Sequence, residues 1–233
     1  MREFTARALR LRRPGVRTRL RAGVKQLTQI PHWVGLRRLA QSRSPEYRDY
    51  LAIQLRRTLS KRETDPGIGA VTLINRVADQ QPGGGSVLCV GCRNALELDR
   101  FRARGFDDVV GIDVFSQRED IKVMDMHDMT FADSSFDVVY CSHALEHSYD
   151  PARVAHELVR VARDGAVVGL EVPVRAQASA ADRVVFSGLD ELRRTFEPHI
   201  RQELLAEEQP PHSETNEQGT DIARLVFRVR KDR

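Results

Sequence analysis

From residue 85 onward, short apolar runs rich in β-branched residues alternate with segments whose apolar residues recur at helical spacing. Five of these runs predict strands and two later runs predict a closing pair; in chain order they read SVLCV, DVVGID, IKVMD, FDVVYCS, AVVGLEV, QELLAEE and ARLVFRVR. Strands that alternate with helices favour parallel pairing through right-handed crossovers. The pattern therefore predicts an α/β fold, a doubly wound sheet with helices on both faces.

Before residue 85 the apolar residues recur at helical spacing. Ser44 is suited to cap a helix and Pro45 to begin it, so a helix is expected over residues 44–62. A second helix is expected at about residues 68–78. The glycine-rich stretch QPGGGS at residues 81–86 then breaks the pattern and is the best candidate for a domain boundary.

The two units on either side of this break differ in charge. Residues 1–84 contain 18 Lys and Arg against 6 Asp and Glu, a net charge of +12, whereas residues 85–233 contain 19 against 27, a net charge of −8. We expect a basic helical N-terminal arm or cap at 1–84, beside a domain at 85–233. The arm would capture an anionic partner such as a phosphorylated metabolite, nucleic acid or lipid headgroup, or its arginines would pack against the acidic body.

Composition bears on the cellular setting. Hydrophobic residues make up 41% and charged residues 30% of the 233 residues, and no apolar run approaches the length needed to cross a bilayer. An apolar signal segment is absent from the N-terminus. Three cysteines are too few, and odd in number, for a disulfide framework, which favours a reducing compartment. The sequence therefore predicts a cytoplasmic protein without a transmembrane segment.

Polar residues that follow the predicted strands indicate a binding site, because ligands of doubly wound sheets bind beyond the carboxyl ends of the strands. An acidic residue about 20 positions past a glycine turn is placed to accept hydrogen bonds from a ribose, and Asp113 follows Gly91 by 22 positions. This spacing favours a nucleoside cofactor. NAD is disfavoured, because Gly91-Cys92-Arg93 lacks the second glycine of the dinucleotide motif.

Over residues 85–233 the sequence resembles the class I S-adenosylmethionine-dependent methyltransferases. The stretches that carry the resemblance are VLCVGCRNALEL, VVGIDV, VMDMHDMTFADSSFDVVYCSHALEH and ELVRVARDGAVVGLEVP. The third is the most specific, because its order of Asp, Phe, FDVV and LEH is hard to obtain by chance. The resemblance implies a mostly parallel, seven-stranded Rossmann-like sheet with an antiparallel last strand. It also implies S-adenosylmethionine as cofactor. The sequence does not identify the acceptor; we expect a small molecule methylated on oxygen or nitrogen, with carbon as a further alternative.

The same resemblance implies roles for residues at the strand ends. Gly91 would let the backbone approach the methionyl moiety, and Asp113 would hold the ribose. Asp125 and Met126 would meet the adenine, and Ser142 would lie near the sulfonium. The full set of cofactor-binding residues implied in this way is Gly91, Cys92, Arg93, Asp113, Val114, Asp125, Met126, His127 and Ser142.

Three positions depart from the family pattern. Cys89 stands where the first motif usually has a carboxylate, and Arg93 and Ala95 each stand where it usually has a glycine. If Arg93 adopts a positive φ, the strain is of the order of 1 kcal/mol. These departures leave open a methyltransferase-like binding module without catalysis. The spacing of Cys89 and Cys92 resembles a redox or metal pair, although small buried side chains are the favoured interpretation.

The stretch YCSHALEHS places His143, Glu146 and His147 in the spacing H-x-x-E-H, which on one continuous helix would suit a zinc hydrolase. Here a predicted strand runs up to His143 and a new helix begins near Pro151, so barely one turn remains. We therefore expect no metal site. In the methyltransferase interpretation, His147, or alternatively His143, orients or deprotonates the acceptor, unless His147 only caps or packs a short helix.

The N-terminal unit leads directly into the first predicted strand, so its helices should lie beside the strand ends where the methyl group is delivered. We expect residues 1–84 to cover the acceptor side of the cofactor pocket. Trp33 and the tyrosines Tyr47 and Tyr50 would form a lid over the substrate, or would pack the N-terminal helices together.

Overall fold

The computed structural model describes residues 30–41, 44–60, 67–93, 96–174, 181–197, 203–210 and 221–231. Residues 1–29, the first part of the basic arm expected over residues 1–84, lie outside the described residues. The helices and strands, in chain order, are α1 (Ile30–Gln41), α2 (Pro45–Ser60), α3 (Ile68–Gln80), β1 (Ser86–Val90), α4 (Glu97–Ala103), β2 (Asp108–Asp113), β3 (Ile121–Val123), β4 (Phe136–Ser142), a 3₁₀ helix (Leu145–His147), α5 (Pro151–Val161), β5 (Ala162–Pro173), α6 (Leu189–Phe196), β6 (Leu204–Glu208) and β7 (Ile222–Arg228).

The seven strands form one sheet in the order β3-β2-β1-β4-β5-β7-β6. Strands β1 to β5 pair in parallel, and β7 runs antiparallel to both of its neighbours. The strand order reverses between β1 and β4, which makes their carboxyl ends the switch point of the sheet. This arrangement confirms the predicted doubly wound sheet with an antiparallel last strand.

Helices cover both faces of the sheet, because alternate residues of each strand point to opposite faces. On one face, Leu73 and Val77 of α3 pack in a buried cluster with Val87 and Tyr140 of the sheet. Gly169 of β5 permits this close approach, since a Cβ added there would lie 2.3 Å from Cγ2 of Val77. On the other face, helices α5 and α6 pack over a second buried cluster that includes β4, β5 and β7. Helix α3 precedes the boundary expected at residue 84, yet it packs directly on the sheet and shares a hydrophobic core with it.

Helices α1 and α2 lie at the carboxyl ends of β2 and β3. Tyr47, Tyr50 and Leu51 of α2 form a small buried cluster with Val114, the residue that follows β2. The α1 helix packs on the edge strand, where Nε2 of His32 lies 2.8 Å from the carbonyl oxygen of Ile121. Helix α2 thus lies over the strand ends, where a site of this fold would form, and α1 packs beside it on the edge strand.

The helix boundaries agree with the capping signals in the sequence. Helix α2 begins at Pro45, where the Ser44 hydroxyl accepts a hydrogen bond from the Tyr47 amide at 3.3 Å. Helix α5 begins at Pro151, where the Asp150 side chain accepts a hydrogen bond from the Arg153 amide at 3.0 Å. Among the described residues, none of the helices has the length and apolar character needed to span a membrane.

Candidate active site

A cleft of about 380 Å³, including its open mouth, lies at the switch point of the sheet. The ends of β1, β2 and β4, the loop after β3 and helix α2 form its walls. The lining residues are Tyr50, Gln54, Gly91, Arg93, Ile112, Asp113, Val114, Met124, Met126, Ala144 and His147. Six residues selected from the sequence as site residues thus line one cavity: Gly91, Arg93, Asp113, Val114, Met126 and His147.

The turn after β1 brings backbone close to the loop after β4. Gly91 has φ +72°, and a Cβ added there would lie 2.2 Å from Cβ of Ala144, so a side chain at this position would collide. Arg93 has φ +47°, which strains a residue with a side chain by about 1 kcal/mol. The turn therefore leaves room for a ligand beside its backbone, at a small conformational cost at Arg93.

Asp113 ends β2 and presents its carboxylate to the cleft. Its oxygens accept hydrogen bonds from the Arg93 amide at 2.9 Å and from the Phe115 amide at 3.3 Å. Burial raises the pKa of Asp113, although the positive charge of Arg93 and these two amides oppose the rise. A carboxylate held in this way, one strand across from a glycine turn, is suited to accept hydrogen bonds from vicinal hydroxyls.

Asp125, expected at the adenine, and His127, expected among the cofactor-binding residues, are not among the cleft-lining residues of the described chain. The Asp125 carboxylate accepts hydrogen bonds from the Tyr47 hydroxyl and from His127 Nδ1, both at 2.7 Å. Burial would raise the pKa of Asp125, but hydrogen bonds from His127 and Tyr47 outweigh burial and lower it. The fully buried His127 also stacks on Tyr149, with ring centroids 3.7 Å apart. These contacts fasten helix α2 to the loop after β3.

Cys92 and Ser142 also lie behind the cleft surface rather than on it. The thiol of Cys92 points at the carbonyl oxygens of Cys89 and Ile112, at 3.6 and 3.7 Å. Burial raises the pKa of both Cys89 and Cys92 well above the usual thiol value, so these cysteines behave as small core side chains. The Ser142 hydroxyl lies 3.4 Å from a carboxylate oxygen of Glu171.

His143 follows β4 with φ +51° and stands beside a buried carboxylate. Its Nε2 lies 3.2 Å from Oε1 of Glu171, and its side chain is 40% exposed, whereas that of Glu171 is fully buried. Arg224 donates to the other oxygen of Glu171 at 2.7 and 3.0 Å. Burial would raise the pKa of Glu171, but His143 and Arg224 outweigh it and lower the pKa. An ionised carboxylate therefore supports an accessible imidazole at the end of β4.

His147 lies on the short 3₁₀ helix, and its side chain is only 7% exposed. Nη1 of Arg57 lies 2.7 Å from its Nε2, and Oδ1 of Asp182 lies 3.0 Å from its Nδ1. The strand β4 ends at Ser142 and helix α5 begins only at Pro151, so H-x-x-E-H does not occupy one continuous helix. The zinc-hydrolase arrangement, with two imidazole ligands and a water-activating Glu146 on a single helical face, is therefore not formed.

Helix α2 contributes residues that sequence reasoning missed. Gln54 lines the cleft and is 5% exposed, yet its side-chain Nε2 has no hydrogen-bond partner among the described residues. An unpaired buried donor costs about 1–3 kcal/mol, and a ligand with an acceptor atom in the cleft would remove that cost. The available signal was the spacing of Gln54 four residues after Tyr50, which places both on one helix face. The glycine turn, the Asp113 carboxylate and this donor together fit a nucleoside cofactor that carries hydroxyls and acceptor atoms.

Residues 56–205 of the chain match a protein family described as Methyltransferase domain. The match covers more than half of the chain, and the chain belongs to this family of methyltransferase domains. The family confirms the class of enzyme that the sequence resemblance implied. A search of the curated proteins finds no match.

Solved structures of other proteins share the fold. The 1,6-didemethyltoxoflavin-N1-methyltransferase of Burkholderia thailandensis, solved with 1,6-didemethyltoxoflavin and S-adenosylhomocysteine, is 12% identical; the match covers 70% of this chain and 80% of that chain, with a TM-score of 0.57. The PH0226 protein of Pyrococcus horikoshii OT3 is 16% identical over 68% and 88% of the two chains, with a TM-score of 0.54. The [4+2]-cyclase SpnF is 16% identical over 80% and 95%, with a TM-score of 0.55. At sequence identities this low, the similarity shows only that these proteins share a fold with this chain.

Proposed function

We propose that this methyltransferase moves a methyl group from S-adenosylmethionine to an oxygen or nitrogen atom of a small molecule in the cleft. S-adenosylmethionine supplies the methyl group on a sulfonium that is reactive without further activation. The residues of the chain therefore need to bind the donor, align the acceptor and accept a proton. The observation that carries the proposal is the cleft, where a positive-φ glycine turn faces a carboxylate at the end of the neighbouring strand.

Five cleft residues are assigned to cofactor binding in this proposal. Gly91 lets the backbone of its turn approach the methionyl part, and Asp113 accepts hydrogen bonds from the ribose hydroxyls. Val114 and Met126 present apolar surface to the adenine. Arg93 orients Asp113 through its amide, which donates to the carboxylate at 2.9 Å.

Four other residues expected at the cofactor have supporting roles in this proposal. Asp125 and His127 fasten helix α2 over the cleft through Tyr47. Cys92 packs beneath the glycine turn. Ser142 lies against Glu171 and so helps to place the residues that follow β4.

We infer that His143 is the base. With Nε2 donating to Glu171 at 3.2 Å, the lone pair of the imidazole lies on Nδ1, and the neighbouring negative charge stabilises the protonated ring. The lone pair of the acceptor forms the new bond to the methyl carbon while the carbon–sulfur bond breaks and its electrons stay on sulfur. The proton of the acceptor then passes to Nδ1 of His143.

His147, which the sequence favours as the base, has partners at both ring nitrogens. Arg57 lies against Nε2 and Asp182 lies against Nδ1, so both ring nitrogens already have partners within the described residues. His147 therefore forms part of the cleft wall in this proposal, and His143 receives the proton.

Calorimetry with S-adenosylhomocysteine tests the cofactor assignment. The full-length protein should bind it, and Asp113→Ala should weaken binding by about 2–4 kcal/mol, because two hydrogen bonds to a charged acceptor are lost. Asp128→Ala, a change at an exposed carboxylate, should leave binding unchanged. A wild-type protein that does not bind the compound would contradict the proposal. Binding without transfer to any acceptor would instead support the non-catalytic binding module.

A further inference from the structure

Glu146, His147 and Asp182 form a buried cluster of metal-ligating side chains at one end of the cleft. Each offers one ligand atom, and these atoms all lie within 4.8 Å of one another. Nδ1 of His147 is 3.0 Å from Oδ1 of Asp182, and Nε2 is 3.7 Å from Oε1 of Glu146. An ion would bind only one of the two ring nitrogens. Protein ligands lie about 2.0–2.2 Å from Zn²⁺ or a similar cation, so one atom from each residue, all within 4.8 Å of one another, needs only small shifts to share a coordination shell.

A second observation at the same place points to a ligand. Glu146 is 4% exposed, and its Oε2 has no hydrogen-bond partner among the described residues. Buried carboxylates are normally paired with a cation or with several donors. The second oxygen of Glu146 has neither within the described part of the chain, although Oε1 of the same carboxylate faces His147.

Arg57 places a positive charge beside this cluster. Its Nη1 lies 2.7 Å from Nε2 and 3.1 Å from Nδ1 of His147, so one donor is shared between the two ring nitrogens. Two carboxylates, those of Glu146 and Asp182, face the same ring. Arg57 belongs to helix α2 and is partly exposed, so the guanidinium can withdraw into solvent when a divalent cation takes its place.

We propose that Glu146, His147 and Asp182 bind a divalent cation of the Mn²⁺ type. One imidazole with two carboxylates suits Mn²⁺ or Zn²⁺ better than Ca²⁺, which prefers oxygen ligands alone. Three protein ligands leave coordination positions open, and His147 borders the cleft, so an oxygen atom of the acceptor can occupy one of them. This last step rests on the proposed methyl transfer. The cation binds and orients the acceptor, and the sulfonium still supplies the reactivity.

Titration of the full-length, metal-free protein with Mn²⁺ tests the site, with calorimetry and the electron paramagnetic resonance of free Mn²⁺ as readouts. We expect one bound ion per chain, and at least tenfold weaker binding by Glu146→Gln, which keeps the side-chain shape. Glu119→Gln, at an exposed position, is the matched control and should bind like the wild type. Arg57→Met should bind Mn²⁺ more tightly than the wild type, because it removes the competing charge.

The outcomes separate this site from the cofactor site. S-adenosylhomocysteine binding by Glu146→Gln should equal that of the wild type, which also shows that the variant is folded; if it is not folded, Asp182→Asn replaces it. Failure of the wild type to bind Mn²⁺, Mg²⁺ or Zn²⁺ would overturn the metal site, as would equal Mn²⁺ affinity in Glu146→Gln. Mn²⁺ binding that depends on Glu146 in a protein that does not bind S-adenosylhomocysteine would uphold the metal site and contradict the proposed function.

Discussion

At the scale of single residues, the side-chain amide of Gln54 should have opposite effects on ligand binding and on the stability of the ligand-free protein. Its buried, unpartnered amide nitrogen lowers the stability of the ligand-free protein, yet it lies in the cleft where a ligand can accept from it. If Gln54 served packing alone, its replacement by a side chain of different shape would disturb that packing and lower the stability. The two explanations therefore predict changes of opposite sign when the amide is removed.

We expect Gln54→Leu to raise the free energy of unfolding of the ligand-free protein by about 1 kcal/mol, because an unsatisfied buried donor is removed. The same change should weaken S-adenosylhomocysteine binding roughly tenfold, which is the loss of one hydrogen bond. Thermal unfolding and calorimetry measure the two effects. Gln41→Leu, at an exposed position on α1, should alter neither by a comparable amount. Lower stability with unchanged binding would assign Gln54 to packing.

The two histidines that follow β4, His143 and His147, have different contacts and therefore different expected roles. We expect His143→Gln to lower the rate of methyl transfer by a factor on the order of 10² or more, because the proton acceptor is lost. Its affinity for S-adenosylhomocysteine should stay within about twofold, since His143 is not a lining residue of the cofactor cleft. The comparison uses kcat and KM of His143→Gln and His147→Gln at one pH. A larger fall in kcat for His147→Gln than for His143→Gln, measured in protein freed of divalent cations, would restore His147 as the base.

At the scale of elements, helix α2 connects the two ends of the cleft. Near its start, the Tyr47 hydroxyl donates to Asp125, and two turns further on Gln54 faces the cavity. Near its end, Arg57 contacts His147. These residues share one face of the helix because they recur at steps of three and four positions. Helix α2 therefore covers the cleft along its length, which supports the cap proposed for the N-terminal segment.

Helix α3 contributes to the hydrophobic core, whereas helix α2 lines the cleft. Chains shortened to different points should show this difference. A chain that starts at Gly84 lacks Leu73, Ile74 and Val77, which are at most 1% exposed. Burial of each contributes about 1.5–3 kcal/mol, so their loss approaches the whole stability of a typical domain. We expect this chain not to fold, as measured by circular dichroism and thermal unfolding. A chain that starts at Gly67 should fold but bind S-adenosylhomocysteine more weakly, since it lacks α2. A cooperative transition in the shorter chain would contradict this role for α3.

At the scale of the whole molecule, the sheet was predictable because each strand and helix carries its own local signal. The alternation of apolar runs, the Asp150-Pro151 helix start and the spacing from Gly91 to Asp113 are readable without knowledge of tertiary contacts. The contacts between distant segments were not readable. Arg57 meets His147 across 90 positions, and Arg224 meets Glu171 across 53. Neither sequence spacing nor residue type indicates such partners, because they depend on how α2 and β7 pack.

The domain boundary expected at residue 84 also depends on contacts between distant segments, which the sequence does not reveal. Gly83, Gly84 and Gly85 all have positive φ values, and such a turn was a reasonable place for a boundary. However, the hydrophobic face of α3 is buried against the sheet beyond that turn. A glycine-rich break in the sequence marks a change of chain direction, and only the packed structure shows which elements share a core.

The positive charge of the molecule is concentrated near the start of the chain. The first 29 residues contain nine Lys and Arg and one acidic residue. If this segment captures an anion, retention on heparin should fall steeply as salt rises, because each phosphate-like contact releases a counterion. A chain that starts at residue 30 should lose this retention and keep its affinity for S-adenosylhomocysteine. Equal retention of both chains would show that heparin binds to residues from 30 onward. The first 29 residues would then have no role in anion binding.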